Sequence, residues 1–302
     1  MTYKYPTSLD EFKNINGVGE GKVVKFGHQF IELIKEYIEE NTFNINCEEI
    51  LKSITPKTKA IIPVHLFGQI ANMEEVIKIA KNHNLKVIED NAQAIGSVYT
   101  NSNNEEIKAG TIGHIGTTSF FPSKNLGCYG DGGAIFTNDD DLAEDCKAIR
   151  IHGTKKDKYN SEMIGLNGRL DSIQAAVLLE KLSIFDDELV MRNEVNSYYR
   201  KYLNNAQHHP EGYQSAHALF SIVLGSNSKR DNLIDRLFQK KIPSVIYYKF
   251  PIHLMEAFQY LGYQKGSLPI SENLSRSIIS LPMHPYLANT DIDFIVNTIQ
   301  TK

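Results

Sequence analysis

Tryptophan is absent from the 302-residue sequence, and cysteine occurs three times, at Cys47, Cys128 and Cys146, without a CxxC pair. Thiols so few and so spaced neither staple a small fold nor form a zinc site, and they fit a reducing compartment. No apolar run approaches the roughly 18 residues that a membrane span needs, and the opening MTYKYPTSLDEF has no apolar stretch of the kind a secretory signal carries. There is no large excess of either charge. Thirty-two Lys and Arg stand against 36 Asp and Glu, a net −4, which argues against a polyanion-binding surface over the whole molecule. Repeats and low-complexity stretches are also missing. What is present is an ordinary globular composition, 41% hydrophobic and 23% charged, in a chain long enough for one large or two medium domains. A soluble cytoplasmic protein without metal is expected.

Residues 7–41 read as two helices around the turn Asn16-Gly17-Val18-Gly19-Glu20-Gly21, the second carrying an apolar stripe at Val23, Phe26, Phe30, Leu33, Ile34 and Tyr37. From residue 43 strands and helices alternate. Asn46 with Glu49, and Asn72 with Glu75, are capping pairs that open the helices CEEILKSI and EEVIKIAKNH. Ala60–Leu66, Lys86–Asp90, Thr117–Phe121 and Gly133–Thr137 read as strands, which indicates an α/β layer around a largely parallel sheet. A long helix follows in LDSIQAAVLLEKL. Residues 217–300 read as strand, helix (KRDNLIDRLFQKK), strand (PSVIYY), short helices and a last helix from about Thr290, a smaller α+β unit.

Three features carry chemistry. A strand ends at Asp90; Lys124 lies just past another strand in SFFPSKNLG; and the glycine-rich turn GCYGDGG leads into the strand AIFT. Open α/β sheets bind ligands beyond the carboxyl ends of their strands. A carboxylate at one such end and a lysine at the next are what pyridoxal phosphate needs: the lysine bonds the cofactor aldehyde, and the aspartate keeps the pyridine nitrogen protonated so that the ring accepts electrons. Singly, each feature has a plainer explanation, a turn-capping aspartate, a solvated lysine and a tight glycine turn.

Together with their flanks they are specific. PVHLFGQ at 63–69, VIEDNAQAIGS at 87–97, SFFPSKNLGCYGDGGAIFTND at 119–139, IRIHG at 149–153, IGLNGRLDSIQAAVL at 164–178 and SLPMHPYL at 280–287 resemble the DegT/DnrJ/StrS family of pyridoxal-phosphate sugar aminotransferases. The resemblance covers about 43–302. It implies aminotransferase fold type I, with a mostly parallel large domain at 43–180 and a small α+β domain at 181–302. It further implies Lys124 as the Schiff-base lysine, Asp90 as the partner of the pyridinium nitrogen, Gln93 against the ring near its 3-hydroxyl, and Ser119 at the phosphate. Asn167 would reach the phosphate of a neighbouring subunit, so a homodimer is implied. The form NGRLDSIQAAVL is most similar to the branch acting on UDP-linked 3-keto-N-acetylglucosaminuronate in cell-surface polysaccharide synthesis. There Arg169 would hold the substrate carboxylate as a bidentate donor, and glutamate would give the amino group. His253 in PIHL and His284 in PMHP read either as substrate contacts or as structural or surface histidines.

About ninety residues with which family members usually begin have no counterpart here, among them a Ser-Gly-Thr helix start that binds the cofactor phosphate on backbone amides and an aromatic stacked on the ring. The expected fold is therefore a truncated one, with apolar residues bared on the strands at 60–66 and 86–90 or on LDSIQAAVLLEKL. The preceding hairpin, assigned to 1–42, resembles instead the C-terminal half of the HRDC domain of RecQ-type helicases. Its five Lys and seven Asp/Glu argue against a nucleic-acid partner. A helicase tail joined to a truncated aminotransferase leaves three readings: a working transaminase, an inactive fragment, and a nucleic-acid-binding module.

Overall fold

A computed structural model of the protein describes residues 41–301. The hairpin expected at 7–41 lies outside the described residues except for its last position. Both expected caps form. The Asn46 side chain accepts the Glu49 N–H at 3.0 Å and opens α1 (Cys47–Ser53), and the Asn72 side chain accepts the Glu75 N–H at 3.3 Å and opens α2 (Met73–Asn82). Each bond satisfies a helix-end donor that has no partner within the helix. The α2 stripe Met73, Val76, Ile79 and Ala80 is buried against Ile61, Leu85 and Val87, which is why this helix lies flat on the sheet.

The main sheet runs β1 (Ala60–Ile61), β2 (Lys86–Asp90), β5 (Ile115–Ser119), β6 (Gly133–Phe136); the first three are parallel and β6 is antiparallel to β5. The mostly parallel layer is thus as expected. The strand expected over 60–66 is shorter, because Pro63 has no N–H for the ladder. Pairing nonetheless continues past it: Asp90 N–H donates to Pro63 O at 2.9 Å, and His65 N–H donates to Asp90 O at 3.0 Å. A second sheet, β4 (Glu106–Lys108), β3 (Val98–Thr100), β7 (Tyr213–Gln214), is built from runs of two or three residues that leave no readable periodicity.

Beyond α3 (Asp140–Ile149), α4 (Ser172–Leu182) leads into α5 (Phe185–Arg200). The start of α5 packs Phe185 and Leu189 with Leu126 and Leu178, while its later Val195 and Tyr199 join a separate core with Phe220, Ile222, Leu237, Ile279 and Ile292. That second core is held by the antiparallel pair β8 (Phe220–Val223) and β9 (Ile278–Leu281), with α6 (Asn227–Gln239), α7 (Pro269–Ser277) and α8 (Asn289–Gln300) around it. PSVIYY is not a strand. Only Val245 pairs, with Ser280, and the chain then turns toward the end of β2. Among the described residues no helix is long and apolar enough to cross a membrane.

Candidate functional site

Asp90 closes β2 at its carboxyl end, between the 63–65 segment and β5. Its peptide is held from both sides, by Pro63 and His65 and, one residue on, by Asn91 N–H donating to Thr117 O at 2.8 Å. One carboxylate oxygen, Oδ1, accepts the Ala92 N–H at 3.0 Å. Oδ2 has no hydrogen bond among the described residues. Lys124 sits five residues past the end of β5 in a tight turn, its N–H bonded to Phe121 O at 2.9 Å. Burial pushes the Lys124 amine below its ordinary 10.5, and the Asp90 carboxylate pulls against that shift. The expected pair is therefore brought together, a half-buried amine facing a carboxylate with a free oxygen.

Directly behind Asp90 lies a group that sequence reasoning missed. Glu89 and His65 are both fully buried. The Glu89 carboxylate accepts from His65 Nε2 at 2.9 Å, from Gly110 N–H at 2.8 Å, and from the Ile112 and Gly113 N–H groups at 2.6 and 2.5 Å. Because His65 Nδ1 accepts the Ala71 N–H at 3.2 Å, the ring hydrogen is assigned to Nε2, and the histidine is a neutral donor. Burial alone would raise the Glu89 carboxyl, but the hydrogen bonds from His65, Gly113 and Gly110 outweigh it and hold the group below its usual 4.5. Gly116 on β5 makes this possible: a Cβ there would overlap the Gly110 carbonyl. The clamp joins β2, the 65–71 turn and the 110–113 loop at the residue beside Asp90.

The same turn orients Gln93. Phe67 N–H donates to Gln93 Oε1 at 2.8 Å, so Gln93 presents Nε2, which donates to the Tyr248 hydroxyl at 3.2 Å. Tyr248 comes from the misread PSVIYY segment, and its only signal was a pair of adjacent tyrosines after an apolar run. Ser119 Oγ accepts the Phe121 N–H at 3.3 Å, leaving its hydroxyl hydrogen free to donate.

The remaining candidates are not bonded to the pair of Asp90 and Lys124. Asn167 and Arg169 are exposed and bonded to each other, Arg169 Nε to Asn167 Oδ1 at 3.1 Å, and among the described residues no hydrogen bond or ion pair joins them to Asp90 or Lys124. His253 is buried, with Nε2 3.2 Å from Glu272 Oε1; Glu272 also accepts the Gly266 N–H at 2.7 Å, so His253 helps to anchor the 262–272 loop. His284 is exposed after β9.

The residues present fit pyridoxal phosphate. An amine shifted toward its neutral, nucleophilic form suits covalent capture of an aldehyde. A carboxylate oxygen without a partner suits a protonated ring nitrogen, and an uncommitted hydroxyl suits a phosphate oxygen. Comparison with known proteins decides the family. The profile of the DegT/DnrJ/EryC1/StrS aminotransferase family matches residues 36–300.

The chain belongs to that family.

The DegT/DnrJ/EryC1/StrS members it resembles are longer. A pleiotropic regulatory protein of Geobacillus stearothermophilus is 42% identical over 266 residues, 87% of this chain and 70% of that protein. The UDP-2-acetamido-2-deoxy-3-oxo-D-glucuronate aminotransferase of Pseudomonas aeruginosa is 36% identical over 262 residues, 85% of this chain and 70% of that enzyme. The crystal structure of a family member from Brucella abortus superimposes with a TM-score of 0.79 at 42% identity, covering 86% of this chain and 70% of that one. Fold type I and a pyridoxal phosphate cofactor follow for DegT/DnrJ/EryC1/StrS proteins. The HRDC domain profile matches residues 1–34.

Proposed function

We propose that this sugar aminotransferase moves an amino group from glutamate onto a keto-sugar nucleotide, and that its substrate is a UDP-linked 3-keto-N-acetylglucosaminuronate. The observation that carries the reading is the Lys124 amine, half-buried and facing Asp90. When bound, pyridoxal phosphate supplies the electron sink that stabilises negative charge on the carbon next to the migrating nitrogen. The chain's own residues do the rest. Lys124 Nζ would hold the cofactor aldehyde and would serve as the base that moves the substrate proton. Asp90 Oδ2 would keep the proton on the ring nitrogen, Gln93, whose Oε1 accepts the Phe67 N–H, would contact the ring, and Ser119 would donate to the phosphate.

Arg169, as a planar fork, would take the substrate carboxylate, and His284 is a further candidate substrate contact. Asn167 would complete the phosphate site of a partner subunit; its exposure agrees with a homodimer. The two separate apolar cores, one drawn from 47–109 and one from 195–296, support a division into a large domain at 43–180 and a small one at 181–302. The glucuronate aminotransferase of P. aeruginosa and a UDP-N-acetyl-3-dehydro-glucosamine 3-aminotransferase of Acidithiobacillus ferrooxidans, 35% identical, support the UDP-3-keto class.

The test is transfer of nitrogen from ¹⁵N-glutamate to the UDP-3-keto sugar in the presence of the cofactor, read by mass spectrometry. Labelled amino sugar is expected. Labelling of a UDP-4-keto sugar in its place would overturn the substrate assignment. No labelled product from any keto-sugar nucleotide, with the cofactor bound, would overturn the transaminase reading.

A further inference from the structure

Outside the candidate active site, a cavity of about 570 Å³ lies between α5 and the 208–217 segment. Its size falls within the range of small-molecule sites. Asn193, Asn196 and Arg200 line it from the helix, and His208, His209 and His217 line it from the facing segment. None of Asp90, Gln93, Ser119 or Lys124 belongs to it.

Its walls carry no carboxylate. Among the described residues the lining contains no aspartate or glutamate. The two asparagine oxygens there are already engaged: Asn196 Oδ1 accepts from Arg200 Nε at 3.1 Å, and Asn193 Oδ1 lies 3.3 Å from His217 Nε2. Each asparagine therefore keeps a bare Nδ2, with no hydrogen bond among the described residues, as a donor. Gln69 likewise turns its Oε1 to His209 Nδ1 at 2.7 Å.

The charge is one-sided as well. Burial and then His217, Arg200 and His208 push the His209 ring down to about 2; burial and then Arg200 and Arg192 push His217 down to about 3. Burial and Arg200 also lower His208. Burial and the neighbouring arginines leave the three rings neutral near pH 7. Arg200 donates to Asn196 Oδ1 and to Gln207 O but makes no ion pair among the described residues. A metal does not fit, since no group of three His, Cys, Asp or Glu side chains among the described residues is arranged to hold one.

The geometry points to a second ligand site, in which the α5 cavity binds a small organic anion through Arg200, Asn193 and Asn196, the anionic group being a phosphate or a carboxylate. The volume is many times that of a single water, whose share of the liquid is about 30 Å³. The ligand therefore carries an organic body as well as the anionic group.

The experiment uses the full chain loaded with pyridoxal phosphate and titrates it calorimetrically with glucose 1-phosphate, with glutarate and with inorganic phosphate. Binding of at least one of the two organic anions at one site per chain is expected; glucose 1-phosphate alone would assign a phosphate ligand, and glutarate alone a carboxylate ligand. Asn193→Asp and Asn196→Asp each keep the Oδ that His217 or Arg200 uses while placing a negative charge on the wall. Each should weaken binding by about tenfold or more, because a charge-assisted hydrogen bond becomes a repulsion. The circular dichroism of both variants should match the parent, and Arg200→Gln provides a third, independent loss of affinity. Absence of binding by both organic anions overturns the proposal. So does binding that all three variants leave unchanged, or binding that displaces pyridoxal phosphate, which would place the anion at the cofactor site.

Discussion

At the scale of single residues, the site rests on a carboxylate that does not touch it. Glu89 is buried with four donors around one negative charge, and the backbone of its neighbour Asp90 is held by the same turn and strand. Glu89→Gln replaces one acceptor oxygen by a donor facing N–H groups. The expected cost is about 3 kcal/mol, the range for a buried group left unsatisfied beside lost charge-assisted bonds. The pH dependence has a definite sign. The folded pKa lies below the ordinary 4.5, so the stabilisation is complete above about 4.5 and is lost as pH falls through the folded value. Urea denaturation of the parent and the variant should therefore differ most near neutrality and converge in acid. A gap that stays constant from neutral pH down to pH about 3 would rule the account out.

The placement of Asp90 at a strand end and of Lys124 just past the next strand was legible because both signals are local. Glu89 with His65 and Gln93 with Tyr248 were not, because their bonds span 24 and 155 positions and form only when the strands lie side by side. His253 shows the converse: its sequence leaves a substrate contact and a structural histidine both open, and only the structure reveals the buried Glu272 beside it.

At the scale of elements, the helices were easier to read than the strands. Caps at Asn46 and Asn72 are written in four-residue windows, and both formed. Asn72→Ala should cost about 1 kcal/mol, a drop of a few degrees in the melting temperature; an unchanged melting curve would mean that the cap bond contributes nothing. Strands β3, β4 and β7 are two or three residues long, too short to alternate, and PSVIYY has a strand composition but only one ladder partner. Glycine supplies the decisive element contact. Gly116→Ala should force the 110–113 loop off Glu89, and slow hydrogen exchange at the Gly110, Ile112 and Gly113 amides should be lost together. Retained protection at all three would show that the loop tolerates the side chain.

At the scale of the whole molecule, apolar surface is left uncovered where the sequence suggested. Ile62 and Val64 are 58% and 39% exposed beside β1, whereas the strand at 86–90 keeps Val87 buried. On α4, Ile173, Leu179 and Leu182 are 75%, 69% and 55% exposed. Apolar side chains gathered in this way mark association surfaces. Light scattering should show a mass that rises with protein concentration, and Ile173→Glu with Leu179→Glu should shift the population toward monomer. A monomer at every concentration would remove the basis for placing a partner's Asn167 at the phosphate.

The central claim is that Lys124, facing Asp90 past the end of β5, is the residue that takes the cofactor. Borohydride reduction in the presence of pyridoxal phosphate followed by peptide mapping tests it most directly. The account predicts label on the SFFPSKNLG peptide at Lys124, capture that rises with pH around a midpoint below the ordinary lysine value of 10.5, and no label there in Lys124→Arg. Label on another lysine with Lys124 unmodified would contradict it.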